Sequence, residues 1–423
     1  MKNESKNVHV HTFDNGLVLV TEHVSGVQSA ALRCMIPAGA VFEDIHNLGA
    51  SSVCAEMLMR GAGELDSRQQ ADAFDRAGAL RSIENSIRYM QLGVTTLGHR
   101  VDESIPLLMD IVRRPRMSSD SFTPARELAL QSVASLADDP QHRAALSARD
   151  RHLPTPFNRS TLGTTEGISA LTHDSLTGWW SNHVRPGGTV ISAAGDIEHD
   201  RLVDLLSASS HDWDGSVEMP DAQGESPRGY AHLDDDSSQV QIMIVHDGPA
   251  QGHADSHLEK LAIAVLSGGM SGRLFTEVRE KRALCYAVSS SYRADKDRGV
   301  VSNYVGTTPE RAQESLDVLH AELQRINEGD VTQEELTRSL TGLKSRLIFA
   351  GESTGARAGA IVADLINLGR VRTLEEIVDQ LSSVTLDELN EYLRRRDLGT
   401  LTIQTLGPSA LQAPSATCSC PRV

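Results

Sequence analysis

The chain has 423 residues, 39% of them hydrophobic and 23% charged, enough for two or three domains each with its own core. With 57 acidic against 40 basic residues its formal net charge is -17, which repels phosphate backbones and argues against a nucleic-acid partner. No window reaches the uninterrupted apolar length that crosses a bilayer, so no membrane partner is expected.

In chain order, the start "MKNESKNVHVHTFDNG" lacks the apolar core of a signal peptide, and the protein is read as cytoplasmic. Its "HVH" places His9 and His11 on one face of a strand, where a surface position is expected. Strand-like "GLVLVTEHV" and "SAALRCMIPAG" follow, then helical spacing from Leu48. "YMQLGVTTL" reads as a strand, residues 100–113 as a helix stopped by Pro115, and Phe122 to Ala137 as another, ended before Pro140. A loop-rich stretch leads to helical "LTHDSLTGWWSNHV" and the strand "GGTVISAAGDI". The same order then recurs: strand "QVQIMIVHDG", helices "SHLEKLAIAVLSGG" and "SGRLFTEVREKRA", strands "LCYAVSSSYR" and "RGVVSNYVGTT", and two successive helices from Glu310 and Thr332. The basic runs "VRRPR" and "LRRR" read as solvated helix ends. Cys34, Cys54 and Cys285 lie in apolar segments and read as buried thiols, whereas Cys418 and Cys420 fall in the low-complexity tail.

The recurrence has a register. Placing Val94 over Val305 aligns seven identities in 21 positions at a constant offset of 211: Val94/Val305, Thr96/Thr307, Arg100/Arg311, Glu103/Glu314, Ser104/Ser315, Leu108/Leu319 and Arg114/Arg325. Half the chain is therefore read as a duplicate of the other. The expected organisation is a first domain over residues 1–212, a Gly-, Pro-, Ser- and Asp-rich linker over 213–231, a second domain over 232–407 and a flexible tail over 408–423.

Within residues 48–60, Ala50, Val53, Cys54, Met57 and Leu58 form the buried stripe of a helix, leaving Ser52, Ala55, Glu56 and Met59 on the adjacent face. This segment, with "IPAGAVFED" before it and "ADDP", "LGTTEGISALT", "AAGDI" and "LSGGMSGRLFTEVREKRALCYAVSSSY" after it, resembles the pitrilysin and insulinase family of inverted-motif zinc peptidases, which includes the mitochondrial processing peptidase subunits. The resemblance runs from about residue 8 to residue 407. It implies an α+β fold of two duplicated sandwich domains, each a mostly antiparallel sheet flanked by helices, together forming half of a clamshell.

In active members of that family the helix carries H-x-x-E-H, two zinc ligands and a general base. At the matching positions this chain has Ser52, Val53, Cys54, Ala55 and Glu56, and the third ligand position falls on Ser132. No zinc is expected in this chain. Another zinc site at "HADSH", His253 to His257, lacks a third ligand and reads as a capped helix start. "LSGGMSG" lacks the lysine of a phosphate loop.

The resemblance also assigns roles to Arg279 and Tyr286, in "VREKRALCY". The family's matching Arg and Tyr hold the bound peptide and the oxyanion that forms during its hydrolysis, a task suited to a forked guanidinium and a phenol. The alternative is that Arg279 pairs with Glu277 or Glu280 and Tyr286 is core. A chain with Arg279 and Tyr286 but no zinc motif is expected to be the non-catalytic, substrate-binding subunit of a heterodimeric zinc endopeptidase, inactive alone, with zinc in a homologous partner. Two further readings stay open: an inert scaffold of the same family, and a peptidase using Glu56 with other ligands.

Overall fold

The computed structural model describes residues 7–414, so the tail cysteines Cys418 and Cys420 lie outside the described residues, as do residues 1–6. The chain forms two units, each built from three stretches. The first holds the described residues up to Ser135, then Pro154–Gly224 and Phe349–Thr373; the second holds Leu136–Leu153, Glu225–Ile348 and the described residues from Leu374.

The first unit carries a six-stranded sheet in the order Val8–Thr12, Val18–His23, Val190–Gly195, Ser29–Ile36, Met90–Leu97, Leu80–Asn85. All neighbours are antiparallel except Val18–His23 with Val190–Gly195. One face is covered by helices including Ala50–Leu58 and Val101–Arg113, over a core that contains Leu19, Leu32, Met57, Leu92, Ile105 and Leu108. The other carries the helix Thr354–Leu368, which packs on strands Val18–His23, Ser29–Ile36 and Val190–Gly195. Small residues allow the close approach: Ala31, Ala194 and Ala358 meet there, and Ser192 Oγ donates to the Ala358 carbonyl at 2.8 Å. Arg357 clamps the helix by donating to both carboxylate oxygens of Glu22 at 2.6–2.9 Å.

The second unit has a five-stranded sheet in the order Cys285–Ala294, Gly299–Thr307, Val240–Gly248, Thr402–Gly407, Gly229–Asp234. Its one parallel pair is Thr402–Gly407 with Gly229–Asp234. The strands beginning at Val18 and Gly229, and those beginning at Ser29 and Val240, are each 211 residues apart, so the offset of the sequence repeat is also that of the sheets. On this sheet the helix Pro140–His152 packs against Val240–Gly248 and Thr402–Gly407. Ala144 and Ala148 are fully buried against Met243, Val245 and Leu406. The buried His152 shares a hydrogen bond with Thr402 Oγ1 through Nδ1 at 3.0 Å.

Several expectations are corrected here. The linear division at residues 213–231 misses that each half gives one helix to the other half's sheet: Pro140–His152 belongs to the second unit and Thr354–Leu368 to the first. Period-based reading cannot see this exchange, because it registers the buried stripe of a helix but not the sheet that buries it. The expected linker also contains the start of a strand, Gly229–Asp234, and the stretch read as loop-rich contains Pro140–His152, whose short alanine-based face gives a weak apolar signal. "LRRR" is not wholly solvated: Arg396 is 3% exposed and paired at 2.9 Å with Glu259, itself 1% exposed. At "HADSH" the Asp255 side chain caps nothing and is held by Arg395 at 2.7 Å. Among the described residues no helix is long and apolar enough to cross a membrane.

Candidate functional site

The helix Ala50–Leu58 opens on Gly49, whose φ of 111° is left-handed. A Cβ there would lie 2.4 Å from the Ile168 side chain, so only glycine fits between this helix and the segment around Gly163. The amides of the first turn that have no partner within the helix are satisfied by a buried carboxylate. Gly49 and Ser51 donate their N–H groups to Glu43 at 2.8 Å each, and Ser51 Oγ also donates to Glu43. Asn85 Nδ2, at the end of the outer strand Leu80–Asn85, reaches both Ser51 Oγ and the Thr161 carbonyl at 2.8 Å. Burial pushes the Glu43 carboxyl up, opposed by these hydrogen bonds and by Arg159. This support is not legible in the sequence, since Asn85, which holds Ser51, and Arg159, which binds the Glu43 carbonyl, are both far from Glu43 along the chain, Arg159 by 116 residues.

The predicted stripe is buried: Ala50, Val53, Cys54, Met57 and Leu58 are at most 1% exposed. Ser52, Ala55 and Glu56 are half-buried on the neighbouring face. Ser132 lies on the helix Ser119–Ala134, which packs against Ala50–Leu58, but it is exposed and its hydroxyl donates to the Leu128 carbonyl at 3.0 Å. The set does not fit zinc. It offers one carboxylate, two weak hydroxyls and no imidazole, where a catalytic ion needs three good ligands and a base. Cys54 cannot substitute, because it faces the core and burial raises its thiol well above the usual range.

Arg279 and Tyr286 have a different setting in the second unit. Arg279 lies in a widened helical turn, Phe275–Glu280, in which the Lys281 N–H reaches back five residues to the Thr276 carbonyl at 2.9 Å. Ala283 then takes a left-handed φ of 51°, a conformation that costs a residue with a Cβ about 1–2 kcal/mol. Tyr286 follows as the extra residue of a bulge, since Cys285 pairs with Thr307 but Ala287 with Gly306. Three departures from regular backbone thus fall within a dozen residues, and Tyr286 is left 67% exposed on an outer strand.

The pairing of Arg279 with Glu277 is not found. Glu277 is taken by Lys281 at 2.7 Å and Arg282 at 2.9 Å. Among the described residues Arg279 has no carboxylate partner and stacks over the Phe275 ring at 4.9 Å. Tyr286 is not core, and its hydroxyl has no hydrogen-bond partner among the described residues. The glycine loop nearby leaves Met270 75% exposed, and Arg346 donates to the Gly268 carbonyl at 3.2 Å.

Comparison with known proteins bears on these features. A family profile described as "Insulinase (Peptidase family M16)" matches residues 18–165, and one described as "Peptidase M16 inactive domain" matches residues 170–343. Proteins described as uncharacterized zinc proteases align over nearly the whole chain. One from Rickettsia felis is 24% identical over 96% of this chain and 99% of its own, and one from Mycobacterium tuberculosis is 26% identical over 94% and 92%. In fold, the chain is similar to a crystal structure of a peptidase M16 inactive domain from Pseudomonas fluorescens, with a TM-score of 0.83 at 20% identity over 96% of this chain and 100% of that one. A protease from Helicobacter pylori gives 0.85 at 18% identity over 94% and 99%. The glycine-bounded helix and the "GGMSGRLFTEVREKRALCY" segment lie within the matched regions, with all strands of the two sheets but Val8–Thr12 and Thr402–Gly407, and the protein belongs to the insulinase family, peptidase family M16.

Proposed function

We propose that this chain is the substrate-binding, non-hydrolytic subunit of a two-chain zinc endopeptidase, contributing Arg279 and Tyr286 to an active site whose zinc and general base would come from a homologous partner. The observation that carries this reading is the contrast between the two candidate sites. The helix Ala50–Leu58 keeps its fold and its Glu43 support but has no ligand set, while Arg279 and Tyr286 are held by irregular backbone with donors that no group among the described residues consumes. Strain of this kind is kept where a side chain must be aimed, and the family's peptide-binding role gives it a purpose.

In this role the Arg279 guanidinium offers two parallel N–H donors to a peptide carbonyl and the Tyr286 hydroxyl offers one. Fixed donors favour the carbonyl oxygen as negative charge develops on it, because they need not reorganise when it does. The peptide would lie extended and add to a free sheet edge, with the outer strands Leu80–Asn85 and Cys285–Ala294 as candidate edges. A purely structural role would leave Arg279 and Tyr286 dispensable and their backbone irregularities without function.

The test is reconstitution. The purified chain should leave peptides intact, and cleavage should appear only on mixing with a homologous subunit bearing an intact H-x-x-E-H. Chelator-sensitive hydrolysis by the solitary chain, or partner activity indifferent to its presence, would overturn the proposal.

A further inference from the structure

The turn that joins Arg279 to Tyr286 is held from behind by three side chains of the second unit. The turn itself is closed by two backbone bonds, from the Ala283 N–H to the Arg279 carbonyl and from the Leu284 N–H to the Val278 carbonyl, each 3.0 Å. The next two carbonyls are taken by side chains. Arg311 donates through Nη1 to the Ala283 carbonyl, and Thr307 donates through Oγ1 to the Leu284 carbonyl. Ser315, in the first turn of the helix Ala312–Asn327, donates through Oγ to the Arg311 carbonyl at 2.8 Å and stands 3.2 Å from Thr307 Oγ1. Thr307 and Ser315 are fully buried, whereas Arg311 is exposed.

We infer that Thr307, Arg311 and Ser315 are positioning residues for Arg279 and Tyr286, acting through the turn and not on the peptide; the inference rests on the substrate-binding role proposed above. Each contact falls on an irregularity that aims one of the pair. Thr307 is registered opposite Cys285, and the next pair is Ala287 with Gly306, so its bond to Leu284 pins the strand just before the bulge. That makes Tyr286 the extra residue. A slip of one position would send its side chain to the other face. Arg311 takes the carbonyl of Ala283, the left-handed residue, and such a conformation persists only where the surroundings over-determine it.

The duplicated half provides an internal comparison. At the offset of 211, Thr307, Arg311 and Ser315 stand over the identical Thr96, Arg100 and Ser104. Two of the contacts are shared. Thr96 Oγ1 donates to the Ala77 carbonyl at 3.3 Å, and Ser104 Oγ to the Arg100 carbonyl at 3.1 Å. The arginine differs: Arg100 pairs with Glu103 at 2.6 Å, whereas Arg311 holds the turn although Glu314 stands where the first half has Glu103. The turns explain the difference. Two residues before the outer strand, the left-handed position is Gly78, with φ 60°, in the first half and Ala283, with φ 51°, in the second. Glycine adopts this conformation freely, so its turn needs no further hold. Alanine does not, and the arginine is placed on the strained residue itself.

The test reads the turn and the reaction separately. In the isolated chain, Arg311→Ala should speed amide hydrogen exchange at Ala283 and Leu284 by about tenfold, with the urea midpoint close to wild type because Arg311 is exposed. In the reconstituted pair the same variant should lower kcat by about tenfold with a smaller change in KM, since displaced donors no longer meet the developing oxyanion. Arg311→Lys, which keeps a donor for the carbonyl, should recover most of the rate, and Arg100→Ala should leave it unchanged. In a Tyr286→Phe background the kcat loss from Arg311→Ala should shrink, whereas general destabilisation would cost the same in both. Unchanged kcat in Arg311→Ala, while Arg279→Ala and Tyr286→Phe weaken cleavage, would overturn the positioning role and spare the proposed function. Cleavage indifferent to Arg279 and Tyr286 would overturn both.

Discussion

Replacing Arg279 and Tyr286 separates a functional role from a structural one, because the structure predicts opposite magnitudes for the two. Arg279 has no ion pair among the described residues, and its stacking on Phe275 at 4.9 Å is worth about 0.5–1 kcal/mol at an exposed position. The Tyr286 hydroxyl touches no donor or acceptor among the described residues and its ring is 67% exposed, so Tyr286→Phe should change stability by less than about 0.5 kcal/mol. If the two side chains stabilise a developing oxyanion, removing one preorganised donor costs about 3–4 kcal/mol, or two to three orders of magnitude in kcat. The assay is peptide cleavage by the reconstituted pair with this chain in saturating excess, alongside urea unfolding of each variant alone. Arg279→Ala and Tyr286→Phe should lower kcat by tenfold at the least, with unfolding midpoints almost unmoved. A double variant that supports cleavage at the wild-type rate would refute the reasoning, as would an activity loss matched by an equal loss of stability.

Three further predictions concern what holds the chain together. Burial, and then the Arg396 charge, push His246 down to about 4, below its unfolded value of about 6.5. The unfolded chain therefore takes up this proton first, so the stability is present above about pH 6.5 and is lost as the pH falls towards 4, on the order of 3 kcal/mol in all. Urea midpoints should fall over that window in the wild type and less in His246→Gln; equal slopes would show that another group governs acid sensitivity. Arg396→Met alone should cost about 3–5 kcal/mol by stranding Glu259 at 1% exposure, and adding Glu259→Leu should recover most of it; chemical unfolding of both variants decides, and an unrecovered double variant counts against the account. Burial raises the Cys34 thiol to about 12 and the Cys54 thiol well above its ordinary value, so both should resist alkylation until the first unit unfolds. Labelling followed by mass spectrometry of the two peptides checks this, and rapid native labelling of either contradicts it.

That Ser52, Ala55 and Ser132 offer no imidazole or carboxylate was legible without coordinates, since these are statements about side-chain identity that no packing can reverse. The buried stripe of the helix Ala50–Leu58 was legible for a related reason: a period of three to four residues is local, and the helix it predicts has that face at most 1% exposed. The duplication was visible too, as an offset of 211 that the strand starts Val18/Gly229 and Ser29/Val240 share. Arg279 and Tyr286 could be picked out as a pair, but not the means by which they are presented. The widened turn, the left-handed Ala283 and the bulge at Tyr286 arise from how Cys285–Ala294 registers against Gly299–Thr307, and a one-residue slip in that register leaves no trace in composition.

What the sequence determined by itself was therefore chemistry and local periodicity: which groups are present, which are missing, and where helices and strands recur. What only the tertiary structure decided was adjacency. It sent the helix Pro140–His152 to the second sheet and Thr354–Leu368 to the first, and set His199 against His9 across nearly the whole first half of the chain. Such neighbours are chosen by burial and pairing between segments far apart in sequence, interactions that gain their free energy only when both partners are in place.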